Sequence, residues 1–206
     1  EIYTLSLPDA LPICAQVTDA TCPKVKAIHT IVQRAGDEGR FVIIIGMREH
    51  PEVVAIQGWC RDCAVFENAN EVQEWLGKNE NFWEKPITVV VQTTQTRNNF
   101  NECCEIIKKR CTNAKISDTI CLATFTRQEE AAKIAASCDA MVVIGGRHSA
   151  NSVHLAQICG EHCANVQFVE RTEELELDRL RGAEAVGLTA GASTPAWIIK
   201  EVRNKM

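Results

Sequence analysis

The chain has 206 residues, 46% of them hydrophobic and 24% charged, with only 11 Gly and 6 Pro. That composition excludes disordered, collagen-like and low-complexity classes and leaves enough chain for one large or two small cores. Lys plus Arg (22) against Asp plus Glu (27) gives a net charge of −5, the wrong sign for a protein that lives on phosphate backbones. Nucleic acid is therefore a poor partner. Apolar runs such as Phe41 to Gly46 fall far short of the roughly 20 residues a membrane helix needs.

Residues 1–13 have no basic region, no uninterrupted apolar stretch and no helix or strand period, so they do not read as a secretory signal. The run Tyr3 to Ile13 resembles the translation of a sequencing adapter and is treated as a non-native leader. From Thr21 onward, short β-branched apolar runs alternate with longer amphipathic stretches, the signature of βαβ units around parallel sheets. In chain order the pattern predicts a helix over Lys24 to Ala35, opened by Pro23, and a strand over Phe41 to Ile45. A helix over Ala69 to Gly77, a strand over Ile87 to Val91 and a helix over Arg97 to Cys111 follow. A polar break from Cys111 to Asp118 separates a second lobe. There the prediction is a helix over Arg127 to Ser137, opened by the capping box Thr126 to Glu129, then strand Ala140 to Ile144 and helix Asn151 to Cys163. Strand Val166 to Val169, helix Glu173 to Leu180, strand Ala185 to Leu188 and a C-terminal helix Pro195 to Lys205 complete it. The expected organisation is two three-layer α/β lobes with mostly parallel sheets, over residues 14–115 and 116–194, with residues 195–206 as the closing helix.

Three predicted strands end in small, hydroxyl-rich turns: Gln92 to Thr96, Gly145 to Ser152 and Thr189 to Pro195. Each opens a helix, whose unpaired N–H groups and positive dipole end suit an anion, and ligands of open α/β sheets sit beyond the strands' carboxyl ends. For any one such turn alone, N-capping is the favoured reading. Three together, none with a P-loop lysine, point to a small phosphorylated ligand.

Eleven cysteines are an odd count, which argues against a disulfide framework and for a reducing cytoplasm. Cys22 and Cys121 each stand just before a helix, where the thiolate that metals and nucleophilic chemistry require is favoured; burial as packing is the equal alternative. Cys60-Arg-Asp-Cys63 has the spacing of half a zinc site or of a redox pair, but no second CxxC follows, and packing is the favoured reading. Cys103, Cys104, Cys111, Cys159 and Cys163 read as packing. Glu52, in His50-Pro51-Glu52 just past a strand, is either a proton donor or a solvated loop acid. His29, His148, His154 and His162 read as surface or capping residues.

Six ordered motifs, Asp19-Ala-Thr-Cys-Pro23, His50-Pro-Glu-Val53, Gln92-Thr-Thr94, Thr119 to Thr124 with Arg127-Gln128, Ser149-Ala-Asn151 and Gly187 to Pro195, together resemble the 4-hydroxy-3-methylbut-2-enyl diphosphate reductases. The resemblance runs from about Ala15 to the C-terminus. It implies a four-iron, four-sulfur cluster held by three cysteines at the centre of three α/β domains in a trefoil-like arrangement. One iron takes the substrate hydroxyl. Electrons from ferredoxin or flavodoxin, with protons, then remove it as water. Residue by residue, it implies Cys22 and Cys121 as cluster ligands, Glu52 as proton source, and Thr93 as holder of the substrate hydroxyl. It places His50 beside the diphosphate and the proton relay. It implies Ser149, Asn151 and Ser193 as diphosphate ligands, with Ala150, where the family often has a second serine, contributing its backbone N–H.

The family's first domain carries the remaining cluster cysteine, in a Gly-Phe-Cys setting, and two further histidines, and no segment of this sequence matches it. Cys14 lies too close to Cys22 to substitute. The expectation is therefore the second and third domains of a three-domain reductase, with weak iron binding and no turnover by this chain alone. The competing classes are a non-catalytic α/β phosphate binder and a zinc module built on Cys60 and Cys63.

Overall fold

The β-branched runs become buried parallel strands because helices cover both faces of each sheet, so successive side chains find apolar surroundings whichever way they point. The computed structural model describes residues 19–206; the adapter-like leader and Cys14 lie outside the described residues. The chain divides into two compact units, one made of the described residues up to Gln92 with Cys103–Thr119, the other of Thr93–Glu102 with Ile120–Met206.

The first unit runs α1 (Pro23–Asp37), β1 (Phe41–Ile45), α2 (Pro51–Gly58), β2 (Cys63–Phe66), α3 (Ala69–Lys78), β3 (Ile87–Val91), the C-terminal part of α4 (Arg97–Arg110) and β4 (Ala114–Ile116). Its four strands are all parallel, in the order β2-β1-β3-β4, with Ile45 beside Val91 and Phe66 at the carboxyl edge. On one face Val42, Ile44, Val65 and Val90 pack against Ile28 and Val32 of α1 and Val53 and Ile56 of α2. On the other, Phe41 stacks on Trp75 of α3, which also meets Phe66 and Phe82.

The second unit runs from the N-terminal part of α4 through α5 (Leu122–Ala135), β5 (Ala140–Ile144), α6 (Ala150–His162), β6 (Val166–Val169), β7 (Val186–Ala190) and α7 (Ala196–Lys205). Its strands are parallel in the order β6-β5-β7. Ala131, Ala135, Leu155 and Cys159 of α5 and α6 cover Met141 and Val143; Val202 of α7 and Leu175 cover Val142 and Ile144. Each face thus takes alternate residues of one strand.

Several expectations need correction. Pro51–Gly58 is a helix, not a loop: its residues are apolar on every side, so no amphipathic period announces it, and Pro at its first position opens it. The short strands β2 and β4 carry too few β-branched residues to stand out. Helix α5 begins one turn earlier than the box at Thr126, with Cys121 as its N-cap. Glu173 to Leu180 is not a helix but two 3₁₀ turns, Thr172–Glu174 and Leu177–Leu180. Strand β7 is displaced to Val186–Ala190, where its register with Ala140–Ile144 places it.

Candidate functional site

In both sheets the strand order reverses beside the first strand of the unit, at β1/β3 and at β5/β7, and the carboxyl ends at such switch points are where α/β proteins bind ligands. The sequence-singled turns fall on these ends.

In the first unit, β1 leads through Gly46 and Met47 to His50, the N-cap of α2. The His50 Nδ1 accepts the Glu52 backbone N–H at 3.2 Å, so in the neutral ring the proton sits on Nε2, leaving that nitrogen a donor. Glu52 is half-buried in the first turn of α2, on the helix's positive end. The turn is fixed from β3: Gln92, fully buried, accepts the Met47 N–H on Oε1 at 2.9 Å. Gln92 was part of a quoted motif but not of the predicted site. Cys22 is exposed and is the N-cap of α1, where its side chain makes no capping bond.

In the second unit, Thr93 is buried, with 7% exposed, and its carbonyl accepts the Cys121 N–H at 2.9 Å, bringing two predicted residues together through the backbone. Cys121 is half-exposed, and its thiol likewise makes no capping bond at the start of α5. The neighbouring Thr94 carbonyl accepts from Gln128 Nε2 at 3.3 Å and from His154 Nδ1 at 2.6 Å. His154 is therefore not a surface residue: it is 6% exposed and holds the Thr93–Thr94 turn. Arg127 donates to the Ala190 carbonyl at 3.1 Å, tying α5 to the end of β7.

The turn after β5 is the most unusual part. Ser149 is the N-cap of α6 and accepts the Ser152 N–H at 3.4 Å, so its hydroxyl serves the helix as the capping reading holds. Ala150 is buried behind it. Asn151, 8% exposed, has neither amide atom hydrogen-bonded among the described residues, and the fully buried Ser152 hydroxyl is also without a partner among them. A side chain on Gly145 or Gly191 would come closer than 3.0 Å to that hydroxyl, so both glycine backbones close on it. From β7, Thr194 donates its hydroxyl to the Ile144 carbonyl at 3.1 Å, while Ser193 is exposed. The sequence reading took Ser152 only as the end of a hydroxyl-rich turn, because nothing local marks it as the residue enclosed between Gly145 and the distant Gly191.

A cavity of about 420 Å³ in this unit is lined by Thr96, the last residue of the turn after β3, with Arg97, Phe125, Gln128, Gln157 and Glu161, and by no residue of the turns after β5 and β7. The cysteines among the described residues are free thiols; Cys103, Cys104, Cys111, Cys159 and Cys163 are buried, and burial pushes Cys104 and Cys159 up to about 11. No three His, Cys, Asp or Glu side chains among the described residues are grouped to hold a metal ion. Nor is any helix among them long and apolar enough to cross a membrane.

Parallel sheets with polar, partly unsatisfied turns beyond their carboxyl ends define the class: an α/β protein whose candidate residues gather at its switch points. Residues 10–206 match the sequence profile of the family described as LytB protein, and the chain belongs to that family. It is 38% identical over 191 residues to the 4-hydroxy-3-methylbut-2-enyl diphosphate reductase of Caldanaerobacter subterraneus subsp. tengcongensis. To that of Aquifex aeolicus it is 40% identical over 195 residues. The alignments take in 93% of this chain and 65% of each relative, so the chain spans about two thirds of their length. Among solved structures, one of (E)-4-hydroxy-3-methyl-but-2-enyl diphosphate reductase, described as the terminal enzyme of the non-mevalonate pathway, is 37% identical with a TM-score of 0.58, over 96% of this chain and 70% of that one. The E-1-hydroxy-2-methyl-but-2-enyl-4-diphosphate reductase from Plasmodium falciparum gives a TM-score of 0.80 at 28% identity, over 90% of this chain and 58% of that one.

Proposed function

We propose that this chain serves the reductive dehydroxylation of 4-hydroxy-3-methylbut-2-enyl diphosphate: the allylic hydroxyl leaves as water while two electrons and two protons enter, giving isopentenyl and dimethylallyl diphosphate. The observation that carries the proposal is Asn151. A buried amide with both ends unsatisfied is costly unless a ligand completes it, and here it lies in the first turn of a helix, where a phosphate is favoured. In this reading the diphosphate takes the Asn151 Nδ2, the Ala150 and Asn151 N–H groups, and the hydroxyls of Ser149 and Ser193. His50 donates to it from Nε2. Holding that remote group fixes the reacting carbon, so its binding energy assists the chemistry.

Thr93 orients the substrate hydroxyl, and Glu52 supplies the proton that turns it into water. Cys22 and Cys121 fit an iron–sulfur cluster in donor type: each is an accessible thiol at a helix N-terminus with no capping duty that would compete. When bound, the cluster supplies the electrons, drawn from a ferredoxin- or flavodoxin-type donor in the cytoplasm, and the Lewis acidity that weakens the C–O bond.

Calorimetric titration of the chain with the substrate tests the proposal: saturable binding that Asn151→Ala weakens supports it, and an absence of binding overturns it. In a protein of the relatives' full length built on this chain, Glu52→Gln should nearly abolish turnover while sparing the visible absorption gained on anaerobic reconstitution with iron and sulfide. Unchanged turnover removes Glu52 from the proton path.

A further inference from the structure

Cys60 and Cys63 flank the Arg61-Asp62 turn between α2 and β2, in the first unit, and no role proposed above uses them. Both are half-buried, with apolar walls supplied by the cluster of Val53, Ile56 and Val65 and one side open to solvent. Cys60 Sγ donates to the Ile56 carbonyl at 3.3 Å, in the last turns of α2, and the Cys60 and Cys63 thiols are near enough across the two-residue turn to influence each other's ionisation. The Cys60 proton is thus held on a carbonyl while Cys63 is neutral, and ionisation of Cys63 offers it a second, charged acceptor.

That geometry separates the two thiols. The hydrogen bond from Cys60 brings Cys63 down to about 7, against the opposing effects of burial and of the Asp62 charge. The same bond, together with burial, pushes Cys60 far up. A thiolate-rich, accessible sulfur next to a protonated one is the arrangement of an attacking and a resolving cysteine. The buried Cys104 and Cys159 show the contrast, since desolvation without such a partner only raises them. Zinc is the weaker reading, because a structural zinc takes four ligands and no group of three donors exists among the described residues.

We propose that Cys60 and Cys63 form a reversible dithiol–disulfide couple, a redox site distinct from the proposed reductase chemistry, whose oxidant is a small disulfide of the glutathione type. The Cys63 thiolate attacks one sulfur of the external disulfide; the new S–S bond forms as the old one breaks, and one thiolate leaves. Cys60 then loses its proton to solvent and attacks the Cys63 sulfur, expelling the second thiolate. The protein gives up two electrons and two protons, and the external disulfide becomes two thiols.

The test equilibrates the full chain in glutathione buffers from reducing to oxidising, blocks free thiols by alkylation, and maps the peptides by mass. The peptide spanning residues 60–63 should lose two hydrogens reversibly, with its thiols at least about tenfold less alkylated at the oxidising extreme than at the reducing one. Cys60→Ser, which removes the resolving thiol, should accumulate a glutathione adduct on Cys63. Cys63→Ser should yield no comparable adduct on Cys60. A wild-type peptide that stays a dithiol at the oxidising extreme overturns the proposal. So does zinc uptake that protects both thiols, or a Cys60→Ser variant that gathers no adduct.

Discussion

The turns beyond β1 and those beyond β5 occupy equivalent places in two parallel sheets, yet they treat their polar groups in opposite ways. In the first unit the Met47 N–H has Gln92 and the Glu52 N–H has His50. In the second, Asn151 and Ser152 are enclosed without protein partners among the described residues. A satisfied turn holds its own shape. An unsatisfied one carries a cost that an outside partner would relieve, which is what the proposed diphosphate would do at Asn151.

Substitutions on the two sides should therefore fail differently. The largest effect is expected for Gly191→Ala, whose side chain would press on the Ser152 hydroxyl and meet Thr194 Oγ1 at 3.3 Å. Ser152 is fully buried and its Cβ also lies 3.3 Å from the added atom, so overpacking should cost about 3 kcal/mol in urea unfolding. A stability equal to wild type would show that the turn yields freely. Next is Gln92→Leu in the first unit, which strands the Met47 N–H and should cost about 2 kcal/mol.

Asn151→Ala should leave stability unchanged or raise it slightly, because it deletes buried amide atoms that bond to nothing among the described residues. It should nevertheless weaken binding of inorganic pyrophosphate by about tenfold or more, the worth of a hydrogen bond to a charged group. If Asn151→Ala destabilised the chain as Gln92→Leu does, the contrast between the units would fail.

The smallest effect concerns the exposed pair Glu38–Lys115 at 2.8 Å. The Lys115 hydrogen bond holds the Glu38 carboxyl below its ordinary value. A carboxylate lowered on folding contributes stability above its unfolded value, and that contribution fades as pH falls through the folded one. Lys115→Ala should flatten this acid-side slope of the melting temperature, and added salt should hide the difference.

How much of this was legible beforehand varied with the locality of the signal. Strands Phe41–Ile45, Ile87–Val91, Ala140–Ile144 and Val166–Val169 were readable to the residue, because a short β-branched run bounded by polar residues is its own signature. The helix Pro51–Gly58 was not, since a helix apolar all round has no period to read. Ser149 and Asn151 were found through their turn and their motif. Gln92 and His154 gained their positions from partners 45 and 60 residues away in the chain, and Ser152 from Gly191, 39 residues away, as well as from Gly145 in its own turn; no local pattern announces the distant pairs.

The amino-acid order by itself determined the alternation of strand and helix, the parallel sheets, the family and the hydroxyl-rich turns beyond the strands' carboxyl ends. These follow from side-chain period, capping chemistry and motif, all local properties. Only the tertiary structure decided which polar groups are satisfied and which are not, and which of the cysteines are buried. Burial and hydrogen-bond pairing are properties of neighbours in space, and distant stretches of chain supply those neighbours.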